Sequence, residues 1–204
     1  MSVSFLCGID EAGRGPLAGP VTAACVILPR DFPISILNDS KKLSEKKRAA
    51  AEIIIKEKSL WGIGIVSHEI IDKINILQAS LQAMSLAFDD MTKKLHARLL
   101  SDSKLFGIEI KKEDKIELSA IVDGTFCPPV NIACKAEVKA DSKYPQVMAA
   151  SILAKVCRDK IMLEYDKLYP QYGYARHKGY PTKAHREICR KIGASPIQRL
   201  SFKY

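Results

Sequence analysis

Ile9-Asp10-Glu11-Ala12-Gly13-Arg14-Gly15-Pro16-Leu17-Ala18-Gly19-Pro20 is the stretch on which the fold turns. The apolar run before it (Phe5, Leu6, Cys7, Ile9) delivers two adjacent carboxylates into a segment with three glycines and two prolines within eight residues. Neighbouring side chains of a strand point to opposite faces, so Asp10 and Glu11 share a site only if the strand ends or kinks there. Gly13 and Gly15 permit such a kink and leave the main chain bare enough for a ligand to touch. Arg14, between them, is a positive fork suited to phosphate. Two acids, a naked backbone and one Arg point to metal-assisted chemistry on a phosphate ester. The competing reading is a strand end, a Gly/Pro turn and solvated acids.

Two further acids stand in similar places. Residues 118–122 form a strand that runs into Asp123-Gly124, and a short strand over 131–138 leads to Lys139-Ala140-Asp141. Strand ends lying side by side would gather Asp10, Glu11, Asp123 and Asp141. Four close carboxylates repel, and a divalent cation removes that penalty. Oxygen donors without Cys or His select Mg²⁺ or Mn²⁺. A pair of such ions can activate a water and stabilise the leaving oxygen of an in-line displacement. Taken alone, Asp123-Gly124 reads as an ordinary turn.

The remaining pattern is that of an α/β layer with a mixed sheet. Residues 21–28 and 60–66 read as strands. Ser44 caps a helix to about residue 58, with Ala49, Ile53 and Ile54 on its inner face. Ser67 opens a second helix carrying Ile70, Ile71 and Ile74, and helical spacing continues from 76 to about 95 with Leu77, Leu81, Met84 and Phe88 as core. The charged stretch 101–117 reads as a solvated loop or short hairpin. The strongest helix covers 144–168, and a last one runs from Pro181-Thr182 to Gly193. No repeat or linker divides the chain, so residues 1–204 form one domain.

The 32 Lys and Arg outnumber 23 Asp and Glu, a formal charge of +9 that implies a polyanionic partner. The six cysteines show no C-x-x-C pair, which argues against zinc and fits reduced thiols. With neither a secretory pattern nor a membrane-length apolar run, the expectation is a soluble, cytoplasmic protein, monomeric by default.

Several blocks together resemble the ribonuclease HII family, the type 2 ribonucleases H. They are the opening stretch, Asn38-Asp39-Ser40-Lys41-Lys42-Leu43-Ser44, Val122-Asp123-Gly124 and Lys139-Ala140-Asp141. The match continues through Ala149-Ala150-Ser151-Ile152-Leu153-Ala154-Lys155-Val156, Arg158-Asp159, His177-Lys178-Gly179-Tyr180-Pro181-Thr182 with His185, and Arg199-Leu200-Ser201-Phe202. The resemblance implies a ribonuclease H-like fold, a five-stranded mixed β-sheet flanked by α-helices, with the segment from about 170 to 204 contributing to nucleic-acid binding. It also implies that Asp10, Glu11, Asp123 and Asp141 are the catalytic, metal-binding acids, holding two Mg²⁺ or Mn²⁺ ions with substrate and Asp10 bridging them. The activity it implies is hydrolysis of the RNA strand of RNA–DNA hybrids and incision 5′ to single ribonucleotides in duplex DNA, leaving 5′-phosphate and 3′-hydroxyl ends.

Such an enzyme must sense a 2′-OH. The family gives that task to the stretch matched by Gly13, Arg14 and Gly15. Its tyrosine matched by Tyr180 packs on the deoxyribose beside the ribonucleotide and reads the junction. Ser40, Lys41, Lys42 and Thr182 suit phosphate contacts, although each Lys reads equally well as a solvated charge. His177 and His185 could touch phosphate, but a helix-face His is more often structural, and both stay outside the catalytic set. The related ribonuclease HIII type carries an extra N-terminal domain and lacks the Gly-Arg-Gly run. A rival from another class is a non-catalytic nucleic-acid-binding module with a residual acidic cluster, which would not need all four acids.

Overall fold

In the computed structural model the described residues are all except Met1, Asp39, Lys41, Lys112 and Tyr204. The first strand, β1 (Ser2–Ala12), runs antiparallel to β2 (Val21–Ile27). Helix α1 (Glu45–Lys58) then leads to β3 (Leu60–Val66), antiparallel to β2, and to the long α2 (His68–Ser101). A small hairpin, β4 (Lys104–Leu105) with β5 (Ile108–Glu109), precedes β6 (Lys115–Asp123) and β7 (Ala133–Glu137). Helices α3 (Pro145–Leu168), α4 (Tyr174–His177) and α5 (Lys183–Ile192) complete the chain. The sheet order is β3-β2-β1-β6-β7, with β6 parallel to both β1 and β7. This is the five-stranded mixed sheet flanked by helices that the sequence implies.

Period-two alternation decides which face each residue serves. Phe5, Cys7 and Ile9 of β1 join Ala23 and Cys25 of β2 against Ala83, Ala87 and Met91 of α2. On the opposite face Ala24 and Val26 meet Ala51 and Ile55 of α1 and Ala150 and Leu153 of α3. Because both faces are covered, β2 is buried along its whole length and reads as an uninterrupted apolar run. Among the described residues no helix is long and apolar enough to cross a membrane.

The helix starts follow their caps. Ser44 Oγ accepts from the Lys47 N–H at 3.3 Å, and Ser67 Oγ from the Ile70 N–H at 3.4 Å. The inner face of α1 is not the expected one. Ala51, Glu52 and Ile55 point inward, whereas Ala49 and Ile53 face solvent, Ile53 being 66% exposed, and Ile54 is only partly covered. The two consecutive runs Ala49–Ala51 and Ile53–Ile55 spread apolar residues over more than one face, so their spacing could not choose the side. Helix α2 contains a break at Asn75 (φ 67°, ψ 166°), whose Oδ1 accepts from the N–H groups of Leu77 and Gln78 and caps the second segment. With ψ near 166° this is a backbone region that is essentially glycine's own, so the break is a strained one held by the two capping bonds.

The segment after α5 folds back on the glycine-rich stretch. Gly19 donates to Ile197 O at 2.9 Å and Arg199 to Leu17 O at 2.8 Å, while Ala18 pairs with Gln198. Leu17 also donates to Gly179 O at 2.8 Å. Residues 13–20 are therefore held between the end of β1 and the C-terminal segment.

Candidate active site

β1 does not end at the two acids. It stays paired with β2 as far as Ala12↔Thr22, but its pairing with β6 stops at Ile9↔Val122. The neighbouring strand leaves, and the strand itself continues. Asp10 keeps the parity of the α3-facing side, and Glu11 that of Ile9, so the expected kink is replaced by a splay between β1 and β6. Asp123 is the last residue of β6, and Asp141 lies in a 3₁₀ turn, Ala140–Ser142, entered through a left-handed Lys139 (φ 61°). Asp123 Oδ1 accepts from the Ala140 N–H at 2.7 Å, which ties the two acidic segments together.

One carboxylate oxygen from each of Asp10, Asp123 and Asp141 lies within 4.8 Å of the others. Glu11 stands beside this triad. Its Oε1 is 3.6 Å from Arg14 Nη1, and its Oε2 is buried without a hydrogen-bond partner among the described residues. Burial raises the Asp10 carboxyl well above the usual carboxylate range, and the charges of Glu11 and Asp123 push it further. Burial also raises Glu11, against the pull of Arg14 and with a further push from Asp123. A site this costly in its ionised form is one that a hard divalent cation would relieve. The donor set fits such an ion: oxygen only, three carboxylates converging, and a fourth with an unsatisfied oxygen at hand.

The cleft above the acids is lined by Gly13, Arg14 and Gly15 on one side and by Ser40, Ser151, Lys155 and Tyr180 on the other. A methyl group placed on Gly15 would sit 3.8 Å from Tyr180 Cε1, so the two expected recognition elements face each other. The Tyr180 ring is 38% exposed, with Lys155 Nζ 5.6 Å and Arg158 Cζ 5.8 Å from its centroid. Ser40 is buried at the floor of the cleft, its Oγ 2.9 Å from Ser151 Oγ. Ser151 in turn lies beside Asp10, where its hydroxyl partly offsets the upward push on that carboxyl. Thr182 is exposed and caps α5, its Oγ1 accepting from the His185 N–H at 3.2 Å. Lys42 is exposed, and Lys41 lies outside the described residues.

Two residues to which the sequence reading gave no role shape the recognition loop. Arg158, on α3, donates to Pro20 O, Ala18 O and Lys178 O at 2.9–3.0 Å. Arg199 donates to Gly13 O at 2.7 Å, Pro16 O at 2.8 Å, Gly19 O at 2.9 Å, Pro20 O at 3.0 Å and Arg14 O at 3.2 Å. Both guanidinium groups are fully buried, and burial lowers both below the usual arginine value. Carbonyl oxygens satisfy the two cations. The loop backbone at Gly13 (φ 106°), a conformation favoured by glycine, lies too close to Arg158 for a side chain. The available signal was that both arginines lie within the blocks Arg158-Asp159 and Arg199-Leu200-Ser201-Phe202 that carry the family resemblance.

Known proteins share the whole architecture. A model of the ribonuclease HII family matches residues 7–204. A ribonuclease HII from Treponema denticola is 52% identical over 202 residues, which cover 97% of this chain and 98% of the relative. Another from Dechloromonas aromatica is 49% identical over 201 residues, or 98% of this chain and 91% of the relative. The solved structure of the PCNA:RNase HII complex from Archaeoglobus fulgidus matches with a TM-score of 0.67 at 25% identity, covering 98% of this chain and 96% of that one. The chain belongs to the ribonuclease HII family, and its chemistry is that of a ribonuclease H endonuclease acting on nucleic acid.

Proposed function

We propose that the protein hydrolyses the RNA strand of RNA–DNA hybrids and incises 5′ to single ribonucleotides embedded in duplex DNA, leaving 5′-phosphate and 3′-hydroxyl ends. The observation that carries this reading is the cleft itself. Asp10, Glu11 and Asp123 line it, Asp141 converges on Asp10 and Asp123, and its rim sets Gly15 opposite Tyr180. Asp10, Asp123 and Asp141, with Glu11 at their side, are the residues that would hold two Mg²⁺ or Mn²⁺ ions. Bound there, the ions supply an activated water and a stabilised leaving oxygen.

The chain's own groups do the selecting. Arg199 takes the carbonyls of Gly13 and Arg14, so the loop meets the 2′-OH at the rim of the cleft through the N–H groups of Gly13, Arg14 and Gly15 and the Gly15 carbonyl. Tyr180 offers a ring face to the neighbouring deoxyribose. Arg14, Lys41, Lys42 and Thr182 contact phosphates along the duplex, and Ser40 serves only the phosphate that descends into the cleft. The whole of residues 1–204 acts as one catalytic domain, its segment from about 170 onward carrying Tyr180 and the loop clamp. The six free cysteines suit a reducing, cytoplasmic compartment.

The test is a product map. A labelled RNA–DNA hybrid incubated with Mn²⁺ or Mg²⁺ yields fragments with 5′-phosphate ends, and EDTA stops the reaction. Cleavage that continues in EDTA, or 2′,3′-cyclic phosphate products, contradicts the reading.

A further inference from the structure

The peptide groups on either side of Tyr180 are held by two histidines. His177 Nδ1 accepts from the Gly179 N–H at 3.1 Å, and His177 O accepts from the Tyr180 N–H at 2.8 Å. His185 Nδ1 lies 3.0 Å from Tyr180 O. These partners fix the protons. An acceptor Nδ1 on His177 leaves the proton on Nε2, which donates to Tyr172 O at 2.9 Å. A carbonyl opposite His185 Nδ1 requires the proton there, so its Nε2 carries a lone pair, buried without a partner among the described residues. The two rings stack at 4.3 Å between centroids and 15° between planes, with Tyr174 edge-on to both at 5.7 Å and 5.6 Å.

We propose that His177 and His185, as a stacked pair of neutral imidazoles, are positioning residues that fix the Tyr180 ring where it meets the sugar beside a ribonucleotide. The inference rests on the junction-reading role given to Tyr180 above. Protonation of His177 at Nδ1 would turn its acceptor into a donor facing the Gly179 N–H, and two imidazolium rings at this separation would repel. The groups facing the pair are Asp166 from α3, which favours the charged form of His177, Lys178, which opposes it, and Tyr172 and Tyr174. Burial lowers both histidines and outweighs the groups that favour their charged forms, the Tyr172 carbonyl and Asp166 at His177 and the Tyr180 and Gly179 carbonyls at His185, which keeps both neutral at physiological pH.

The measurement is the ratio of kcat/KM on a duplex with one ribonucleotide to that on an RNA–DNA hybrid, taken between about pH 5.5 and 8 so that changes at the metal site cancel. His177→Leu, which lacks the acceptor, lowers the ratio about tenfold or more, since an ångström of misplacement can cost 10²-fold. His177→Asn, whose Oδ1 can still accept from Gly179, keeps the ratio at neutral pH and holds it down to acid pH, where that of the wild type falls. Tyr180→Ala separates the two ideas. An unchanged ratio in that variant overturns the reading of Tyr180. A lowered ratio there, with wild type, His177→Leu and His177→Asn indistinguishable at every pH, overturns the positioning role. Should His177→Leu fail to fold, a wild-type ratio independent of pH overturns it on its own.

Discussion

Arg199 Nη2 donates to the carbonyl oxygen of Gly13 at 2.7 Å, joining residues 186 positions apart in sequence. With the other four carbonyls that Arg199 takes, this bond turns a glycine-rich stretch into a fixed rim for the acidic cleft. Arg199→Lys keeps the charge but offers fewer donors without the planar fork, and leaves buried carbonyls unmet. Each unmet group costs about 1–3 kcal/mol. The expected outcome is a loss of about 2–5 kcal/mol in chemical denaturation together with most of the cleavage activity. Wild-type stability in the Lys variant contradicts the clamp.

Gly8 marks the closest approach of β1 to α3. A Cβ there would fall within the backbone of Gln146 and Val147 at the start of the helix. Backbone on both sides leaves no flexible atom to yield. Gly8→Ala is expected to cost about 3 kcal/mol or more, the upper end of overpacking effects, and to lower the urea midpoint without changing the m-value. A variant that melts with the wild type would show that α3 can shift.

Asp10→Asn separates stability from activity. A carboxyl raised by burial and by like charges binds protons more tightly in the folded state, so its contribution to stability is greatest in acid and is lost as pH rises through the folded value. Removing that charge at neutral pH, in EDTA, is expected to raise Tm while abolishing cleavage. Mg²⁺ or Mn²⁺ reverses the order by stabilising the wild type alone, by about 2.7 kcal/mol at 100 times its Kd. Equal metal-induced shifts in both proteins would remove Asp10 from the ion site.

The histidine pair has the opposite sign. Burial lowers His177 and His185, so their contribution to stability is whole above the unfolded value near 6.5 and is lost as pH falls through the folded one. Asp10 and Glu11 work against this trend. The informative quantity is therefore a difference: thermal melts at about pH 7.5 and 5.5 should fall more in the wild type than in His177→Asn. Parallel shifts would mean that His177 does not titrate with unfolding.

Local chemistry made much of this legible in the sequence. The caps at Ser44 and Ser67 and the uninterrupted apolar run of β2 follow from their own neighbours, whereas Asp123 and Asp141 stand out from ordinary turns only through the family blocks around them. What escaped depends on tertiary contacts. The inward face of α1 is set by α3 and the sheet, since its apolar residues, Ala49–Ala51 and Ile53–Ile55, are spread too widely to define one side. That β1 runs on past the acids rather than kinking depends on its pairing with β2 outlasting that with β6, a fact that belongs to the other strands. Arg158 and Arg199 look like surface charges until the loop that they hold is in place.

The most direct measurement uses a labelled DNA duplex containing one ribonucleotide, incubated in Mg²⁺ or Mn²⁺ with the wild type and with Asp10→Asn. The account predicts a single incision 5′ to the ribonucleotide by the wild type and none by the variant. Cleavage confined to long hybrid tracts would contradict the role of Tyr180 and the loop 13–15. An Asp10→Asn protein that still cuts would contradict the acidic triad as the seat of the chemistry.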